Sequence, residues 1–193
     1  MSIFAQSAIQ ICPCQICPSV DKVDSPLAYQ DCCQPYHDAL SHENMHELGA
    51  AKAETAERLM RTRYSAFVLI KPDYIVKTTL PAQQALLDKK VIETWAEETD
   101  WAGLEIVQHT PKLGKRHAQV EFKAYFNTSD DASSQLQAHH ELSAFVKVKD
   151  KATNDARWYF LDPTVAMTVT QKQPCICGSG EKFKRCCGEY LQN

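Results

Sequence analysis

The sequence lacks the features that mark several common classes of protein. No apolar run approaches the roughly 18–20 residues that span a bilayer, and the N-terminus has neither the cationic start nor the long apolar stretch of a signal peptide. The formal net charge of -3 gives no overall basic field, so nucleic-acid binding would require a local basic patch. We therefore expect a water-soluble, cytoplasmic protein without membrane insertion.

Catalytic signatures are missing as well. The chain contains no phosphate-binding glycine loop, no Ser/His pattern and no His/Asp pair. The motifs therefore give no reason to expect an enzyme. At 193 residues the chain has room for one domain with a real core and a small appendage.

Cysteine is what the sequence has in excess. Because a chain without an export signal keeps its thiols reduced, nine cysteines favour metal binding over a disulfide framework. Eight of the nine fall into two groups with the same outline, a C-x-C pair followed by an adjacent C-C pair. Zinc takes four such ligands in a tetrahedron, and a closed shell of four cysteines leaves no open position for water. The sequence predicts one or two structural zinc ions per chain.

The C-terminal cluster has the stronger pattern. We define it as Cys175, Cys177, Cys186 and Cys187. Gly178 and Gly180 lie between the two pairs and allow the positive φ angles of a tight reversal. Four thiolates around one zinc leave a charge of about -2, and we expect the basic residues of the same loop to offset it: Lys182, Lys184 and Arg185.

The N-terminal cluster is looser. We define it as Cys12, Cys14, Cys32 and Cys33. The segment between its pairs is longer and has no Gly-Ser-Gly turn, but loop-closure cost grows slowly with length, so a second zinc is predicted. Two alternatives stay open. Cys17 forms a C-x-x-C pair with Cys14 and could supply another ligand or a dithiol, and His37 either replaces a ligand or lies on a helix surface.

The middle of the chain changes its hydrophobic period once. Three-and-four spacing predicts helices over 54–70, 73–80 and 83–98, the last burying Leu87, Val91 and Trp95 on one face. Alternation then predicts four strands, with polar breaks near 110–112, 127–134 and 149–155. Helices followed by an antiparallel meander indicate an α+β fold. We expect a Cys-rich segment over 1–48, an α+β domain over 49–170 and a zinc segment over 171–193.

Four stretches resemble known families. "PCICGSGEKFKRCCG" is similar to the SEC-C motif, the zinc segment at the C-terminus of the SecA translocation ATPase. "RLMRTRYSAFVLIKPDYIVKTTLP", "WAGLEIVQH" and "RWYFLDP" are similar to the YchJ family, small bacterial proteins with a SEC-C motif at each end and no assigned activity. The resemblance implies a cystatin-like cone of the nuclear transport factor 2 superfamily. The chain departs from the family pattern at the insert with Cys17 and at Thr79-Leu80, where the family tends to carry Trp-His.

Relatives of such a cone include enzymes that place Asp, His or Tyr in an apolar pocket. The residues of this type here are Asp73, Tyr74, His109, Glu121, Tyr125 and Asp162, with Tyr64 and Trp158 as further candidate pocket residues. Each also has an ordinary structural explanation, such as a helix N-terminus for Asp73 or a core position for the tyrosines. Arg58, Arg61 and Arg63 could form an anion site, although solvated or ion-paired arginines explain the same spacing.

The resemblance to SEC-C favours a protein-interaction adaptor, since that segment of SecA is associated with binding a chaperone partner. Its interaction surface here would be Lys182, Phe183 and Lys184, with another protein as the partner. In the alternative, the zinc segments only staple the termini to a cone that binds a small molecule or acts as an enzyme. An adaptor leaves Phe183 exposed, whereas a staple buries it. Single-stranded nucleic acid, stacked on Phe183, is a less favoured ligand.

Overall fold

The computed structural model describes residues 10–19, 24–41, 51–130, 133–149 and 154–191. The helices in these residues are α1 (Tyr29–Cys32), α2 (Gln34–Ser41), α3 (Ala56–Val68), α4 (Pro72–Thr78), α5 (Pro81–Gln84) and α6 (Lys89–Glu98). The strands are β1 (Asp100–Leu113), β2 (His117–Asp130), β3 (Ser133–Lys149) and β4 (Ala156–Leu161). Helices followed by strands confirm the predicted α+β class. None of these helices is long and apolar enough to cross a membrane.

The four strands form one antiparallel sheet in the order β1-β2-β3-β4. Each strand pairs with its neighbour in sequence, as the predicted meander requires. β1 runs through the predicted break at 110–112, and its pairing with β2 shifts register at three places. Such irregularities bend a strand and increase its twist, which suits a sheet that curves around a helix.

α3 packs on the concave side of the sheet. Thr55 begins the helix by accepting a hydrogen bond from Arg58 N at 3.0 Å. Leu59 and Tyr64 on its buried face belong to the same core as Val120 and Phe145 of the sheet. This helix and α4 agree with the periodicity, because their apolar positions face the core as predicted.

The third predicted helix is wrong in two respects. Residues 83–98 do not form one helix, because α5 ends at Gln84 and Asp88 begins α6 by accepting hydrogen bonds from Lys90 N and Val91 N. Its predicted buried face is also largely open, with Val91 63% and Trp95 47% exposed and Leu87 half-buried. These side chains line a cavity rather than the core.

Residues 143–146 of β3 are buried, whichever face of the sheet they point to. The alternating apolar residues of this strand, Ala144 and Val146, pack against the C-terminal segment on the convex side of the sheet. Glu141 and Ser143, which alternate with the apolar positions and so face the other side of the sheet, line the cavity on the concave side. The alternation therefore predicted the strand correctly, but the apolar face belongs to a second core that the cysteine segment completes.

Candidate metal centres and cavity

The N-terminal cluster brings its four sulfur atoms to one point. The Pro13–Gln15 turn and α1 carry the two pairs, and all four ligand atoms lie within 4.8 Å of one another. The Cys14 sulfur is 3.6 Å from those of Cys12, Cys32 and Cys33. A tetrahedral zinc with Zn–S of about 2.3 Å requires sulfurs about 3.8 Å apart, so this donor set fits the metal.

Neighbouring donors surround this cluster. Arg58 Nη1 lies 3.6 Å from the Cys32 sulfur, and Gln15 Nε2 lies 3.8 Å from those of Cys14 and Cys32. Ser65 Oγ is 3.5 Å from Cys12. Such hydrogen bonds orient metal ligands and stabilise the thiolate form. Arg58 therefore donates a hydrogen bond to the cysteine cluster, a role that the sequence analysis did not predict.

The positions of Cys17 and His37 decide whether either of them is a ligand of the N-terminal cluster. Cys17 is half-buried, lies outside the group of four and contacts Ser19 Oγ at 3.3 Å. His37 is neither a ligand nor a surface residue, since it is 1% exposed. Its Nε2 donates to Thr62 O at 2.9 Å, so Nδ1 accepts from the Tyr29 hydroxyl at 2.7 Å. Burial lowers the pKa of His37 to about 4 and keeps the ring neutral.

The C-terminal cluster has the same geometry. The Cys177 sulfur is 3.6 Å from those of Cys175 and Cys186, and the four sulfurs again lie within 4.8 Å of one another. Gly178 and Gly180 have φ of 72° and 80°, the left-handed turn predicted for them. Ser179 Oγ contacts the Cys186 sulfur at 3.5 Å.

Without a metal, the cysteine thiols of each cluster would have very different pKa values. Hydrogen bonds to its thiol neighbours and burial raise the pKa of Cys33, and the same causes raise that of Cys187. Hydrogen bonds from Cys175 and Cys187 instead lower the pKa of Cys177. A zinc ion at either centre would remove this difference, because its charge favours the thiolate form of all four cysteines.

A histidine of the sheet reaches the C-terminal cluster. His117 begins β2, is buried, and places Nε2 3.6 Å from the Cys187 sulfur and 3.9 Å from that of Cys186. Its ring packs on Tyr190 at 4.6 Å between centroids. A contact across about seventy positions in sequence leaves no local signal, so the sequence analysis did not identify His117.

The basic residues that were expected to offset the charge of this cluster are exposed: Lys182, Lys184 and Arg185.

Phe183 is not part of an exposed surface. Its side chain is 6% exposed and lies over Gly188, where any Cβ would meet Phe183 atoms at 2.7–3.0 Å. The core around it combines Leu80, Val146 and Leu161 of the middle domain with the four C-terminal cysteines. The predicted interaction surface therefore loses its aromatic residue, because the zinc segment uses it to pack against the cone.

A cavity of about 680 Å³ lies between the concave sheet, α3 and α6. Small-molecule sites typically occupy ~300–1,000 Å³. Its aromatic lining residues are Tyr64, Phe67, Trp95, Trp101, Phe122 and Phe160. Phe67, Trp95 and Trp101 form one wall, with edge-on rings 4.8 Å and 5.3 Å apart between centroids.

Arg63 is the buried charge of this cavity. It is 5% exposed, and its Nη1 donates to Ile75 O at 2.8 Å, Thr78 Oγ1 at 2.7 Å and Thr79 Oγ1 at 3.3 Å. The guanidinium also lies 4.4 Å from the centre of the Phe160 ring. Burial lowers the pKa of Arg63 to about 10, so it stays charged at neutral pH. Arg63 thus differs from the surface arginines that its helical spacing suggested.

Of the predicted pocket residues, the structure places Tyr64 and Asp162 at the cavity. Tyr74 is buried and donates to Thr62 Oγ1 at 2.8 Å. Trp158 lines a separate space of about 30 Å³, and its Nε1 donates to Glu54 O at 3.2 Å. Both are packing residues here, as the structural explanation for the tyrosine expected.

The other four predicted residues lie outside the cavity lining. Asp73 is exposed and pairs with Lys89 at 2.7 Å. His109 Nδ1 is 3.4 Å from a Glu57 oxygen. On the convex side, Tyr125 donates to Glu105 at 2.5 Å, and Glu121 pairs with His140 at 2.8 Å. These residues do not form one site.

The fold and the clusters together define a class: an NTF2-like cone with a four-cysteine segment of metal-binding geometry near each end of the chain. Family models agree with this description. Residues 55–163 match the middle NTF2-like domain of YchJ, residues 5–41 match the N-terminal zinc binding domain of the YchJ family, and residues 172–189 match the SEC-C motif. The chain belongs to the YchJ family.

Relatives and solved structures are consistent with this membership. A UPF0225 protein of Actinobacillus succinogenes is 46% identical over 94% of this chain and 98% of its own. One of Haemophilus influenzae is 45% identical over 99% and 100%. The crystal structure of a SEC-C motif containing protein from Psychrobacter arcticus has a TM-score of 0.87 and 73% identity, and covers 94% of this chain and 97% of that one. A SEC-C motif containing protein from Rhodopseudomonas palustris has a TM-score of 0.55 and 34% identity, over 72% and 91%.

Proposed function

We propose that this protein is a small-molecule-binding cone whose two ends are held by structural zinc ions. The observation that carries the proposal is the cavity, because its volume suits a small ligand and two apolar residues of its lining, Val91 and Trp95, are exposed. A folded domain gains nothing in stability from an open apolar face such as that of Val91 and Trp95, so a ligand that covers it is favoured.

Zinc has a structural role in this proposal. Each cluster offers four cysteines and therefore closes the metal shell without a position for substrate. The C-terminal cluster shares its core with β3 and β4, and the N-terminal cluster shares its core with α3 and the sheet. Zinc binding therefore contributes free energy to packing both termini on the cone. The cytoplasm remains the proposed compartment, since zinc thiolates require reduced cysteines.

An adaptor role is the weaker proposal. Lys182 and Lys184 are exposed, but the aromatic anchor expected beside them is buried. Burial of Phe183 also removes the stacking surface on which single-stranded nucleic-acid binding depended. The staple arrangement accounts for the position of Phe183, and it leaves the cavity as the place where a ligand binds.

Binding to the cavity can be tested with N-phenyl-1-naphthylamine, a neutral fluorescent probe. We expect saturable enhancement of probe fluorescence and energy transfer from the tryptophans, since Trp95 and Trp101 line the cavity. Val91→Glu places a charge on the cavity wall and should weaken binding about tenfold or more. Val107→Glu is the matched control, because Val107 is similarly exposed on β1 but does not line the cavity. Equal binding by both variants, or no binding by the wild type, would refute the proposal.

A further inference from the structure

Both N–H groups of Arg63 Nη1 are already committed, because three acceptors share them. Nη1 holds Ile75 O, Thr78 and Thr79 at the junction of α4 with the next turn. In the part of the chain that the structure describes, no hydrogen bond leaves from Nε or Nη2, and no ion pair joins Arg63 to a carboxylate. Nε–H and Nη2–H lie on one edge of the guanidinium and point in parallel.

The carboxylates near the cavity are engaged elsewhere. Glu141 accepts from Ser143 at 2.5 Å and pairs with His139 at 2.9 Å. Asp162 accepts from Thr164 N at 2.9 Å and from its hydroxyl at 2.6 Å. Asp162 and Glu141 still act on the guanidinium through space and raise its pKa against the effect of burial, but neither forms an ion pair with it in the described residues. An anion on the free edge would add the direct charge-assisted contact that these carboxylates do not make.

We propose that the cavity selects aryl carboxylates, with the carboxylate on the free edge of Arg63 and the ring against the aromatic wall of Phe67, Trp95 and Trp101. This inference rests on the proposed function of the cavity and names its ligand class. Two parallel N–H groups match the two oxygens of a carboxylate, and charge-assisted pairs of this kind are the strong ones. Phe160 fixes the plane of the guanidinium from its face, which preorganises that edge.

The test compares two ligands of nearly equal shape by calorimetry on the zinc-loaded wild-type protein: 3-phenylpropionate and its neutral amide, 3-phenylpropanamide. We expect the carboxylate to bind about tenfold or more tightly than the amide. Arg63→Lys keeps the charge but removes the parallel edge, so it should reduce that preference. Arg116→Lys, the same change on a turn outside the cavity, should retain it. The wild-type comparison does not depend on whether Arg63→Lys folds.

The outcomes separate this inference from the proposed function. Equal affinity for acid and amide would overturn the selection of carboxylates while leaving a ligand-binding cavity. Binding of the neutral naphthylamine probe without binding of either phenyl compound would have the same meaning. Absence of binding by all three would overturn both. A preference for the acid that survives Arg63→Lys unchanged in a folded protein would remove Arg63 from the site.

Discussion

The sharpest test of the cysteine clusters is a zinc count on single-serine variants of full-length protein purified without a metal-affinity tag. Each cluster has sulfurs 3.6 Å apart where a tetrahedral zinc needs about 3.8 Å, so each should hold one ion. We expect about two zinc ions per wild-type chain and about one in either Cys14→Ser or Cys177→Ser. Structural zinc in small cysteine sites binds with a free energy of ~10–16 kcal/mol at neutral pH when all its ligands are present. Loss of one thiolate removes part of this free energy, so a moderate chelator should take the ion from the variant.

Cys17→Ser provides the matched control. Cys17 is free, lies three positions from Cys14 and is outside the group of four, so its replacement should leave the zinc count unchanged. Elemental analysis gives the count directly, and a colorimetric chelator follows release over time. One zinc in the wild type, or loss of zinc in Cys17→Ser, would refute the assignment of ligands to the N-terminal cluster.

Two further predictions concern buried groups. Phe183→Ala should retain both zinc ions but lose about 3–5 kcal/mol of packing free energy between the C-terminal segment and the cone. Amide hydrogen exchange should then be faster over 171–191, while β2 stays protected. Unchanged exchange would contradict the role of Phe183 in holding this segment to the cone. The second concerns His37, whose pKa of about 4 when folded lies below ~6.5 in the unfolded chain. Since the unfolded chain binds the extra proton, stability is complete above about pH 6.5 and falls by about 3 kcal/mol as the pH drops through 4. Because zinc thiolates also protonate in acid, the measurement is long-range ¹H–¹⁵N NMR of the ring, which should show the neutral Nε2–H tautomer at pH 6; a charged ring there would contradict the assignment.

Local patterns were enough to predict α3, α4, the four strands in their order, and the cysteines that gather in each cluster. Ligand spacing, a Gly-Ser-Gly turn and changes of hydrophobic period are short-range signals, and they survive folding because each is satisfied within one element or one turn. α3 illustrates this, since its apolar stripe meets the sheet as its spacing requires.

The cavity could not be predicted in the same way, because its surroundings come from distant parts of the chain. Arg63 looked like a surface residue on the helix pattern, yet α4 supplies its acceptors and β4 its aromatic partner. Val91 and Trp95 carry the apolar spacing of a buried face, but the pattern does not reveal whether the facing space is filled by protein or left empty. His117 gave no signal at all, since only the tertiary structure brings it to the C-terminal cysteines.

The break before α6 has a consequence for how a ligand would enter and leave. Ala96 is the one residue of this ten-residue helix that is buried, whereas α3 and the sheet are anchored in the main core and both termini are fixed to it by the cysteine clusters. Opening free energies within a protein follow such differences in buried contact. We therefore expect α6 to open at a lower free energy than α3, the strands or the cysteine clusters, so that exchange of a ligand need not wait for global unfolding.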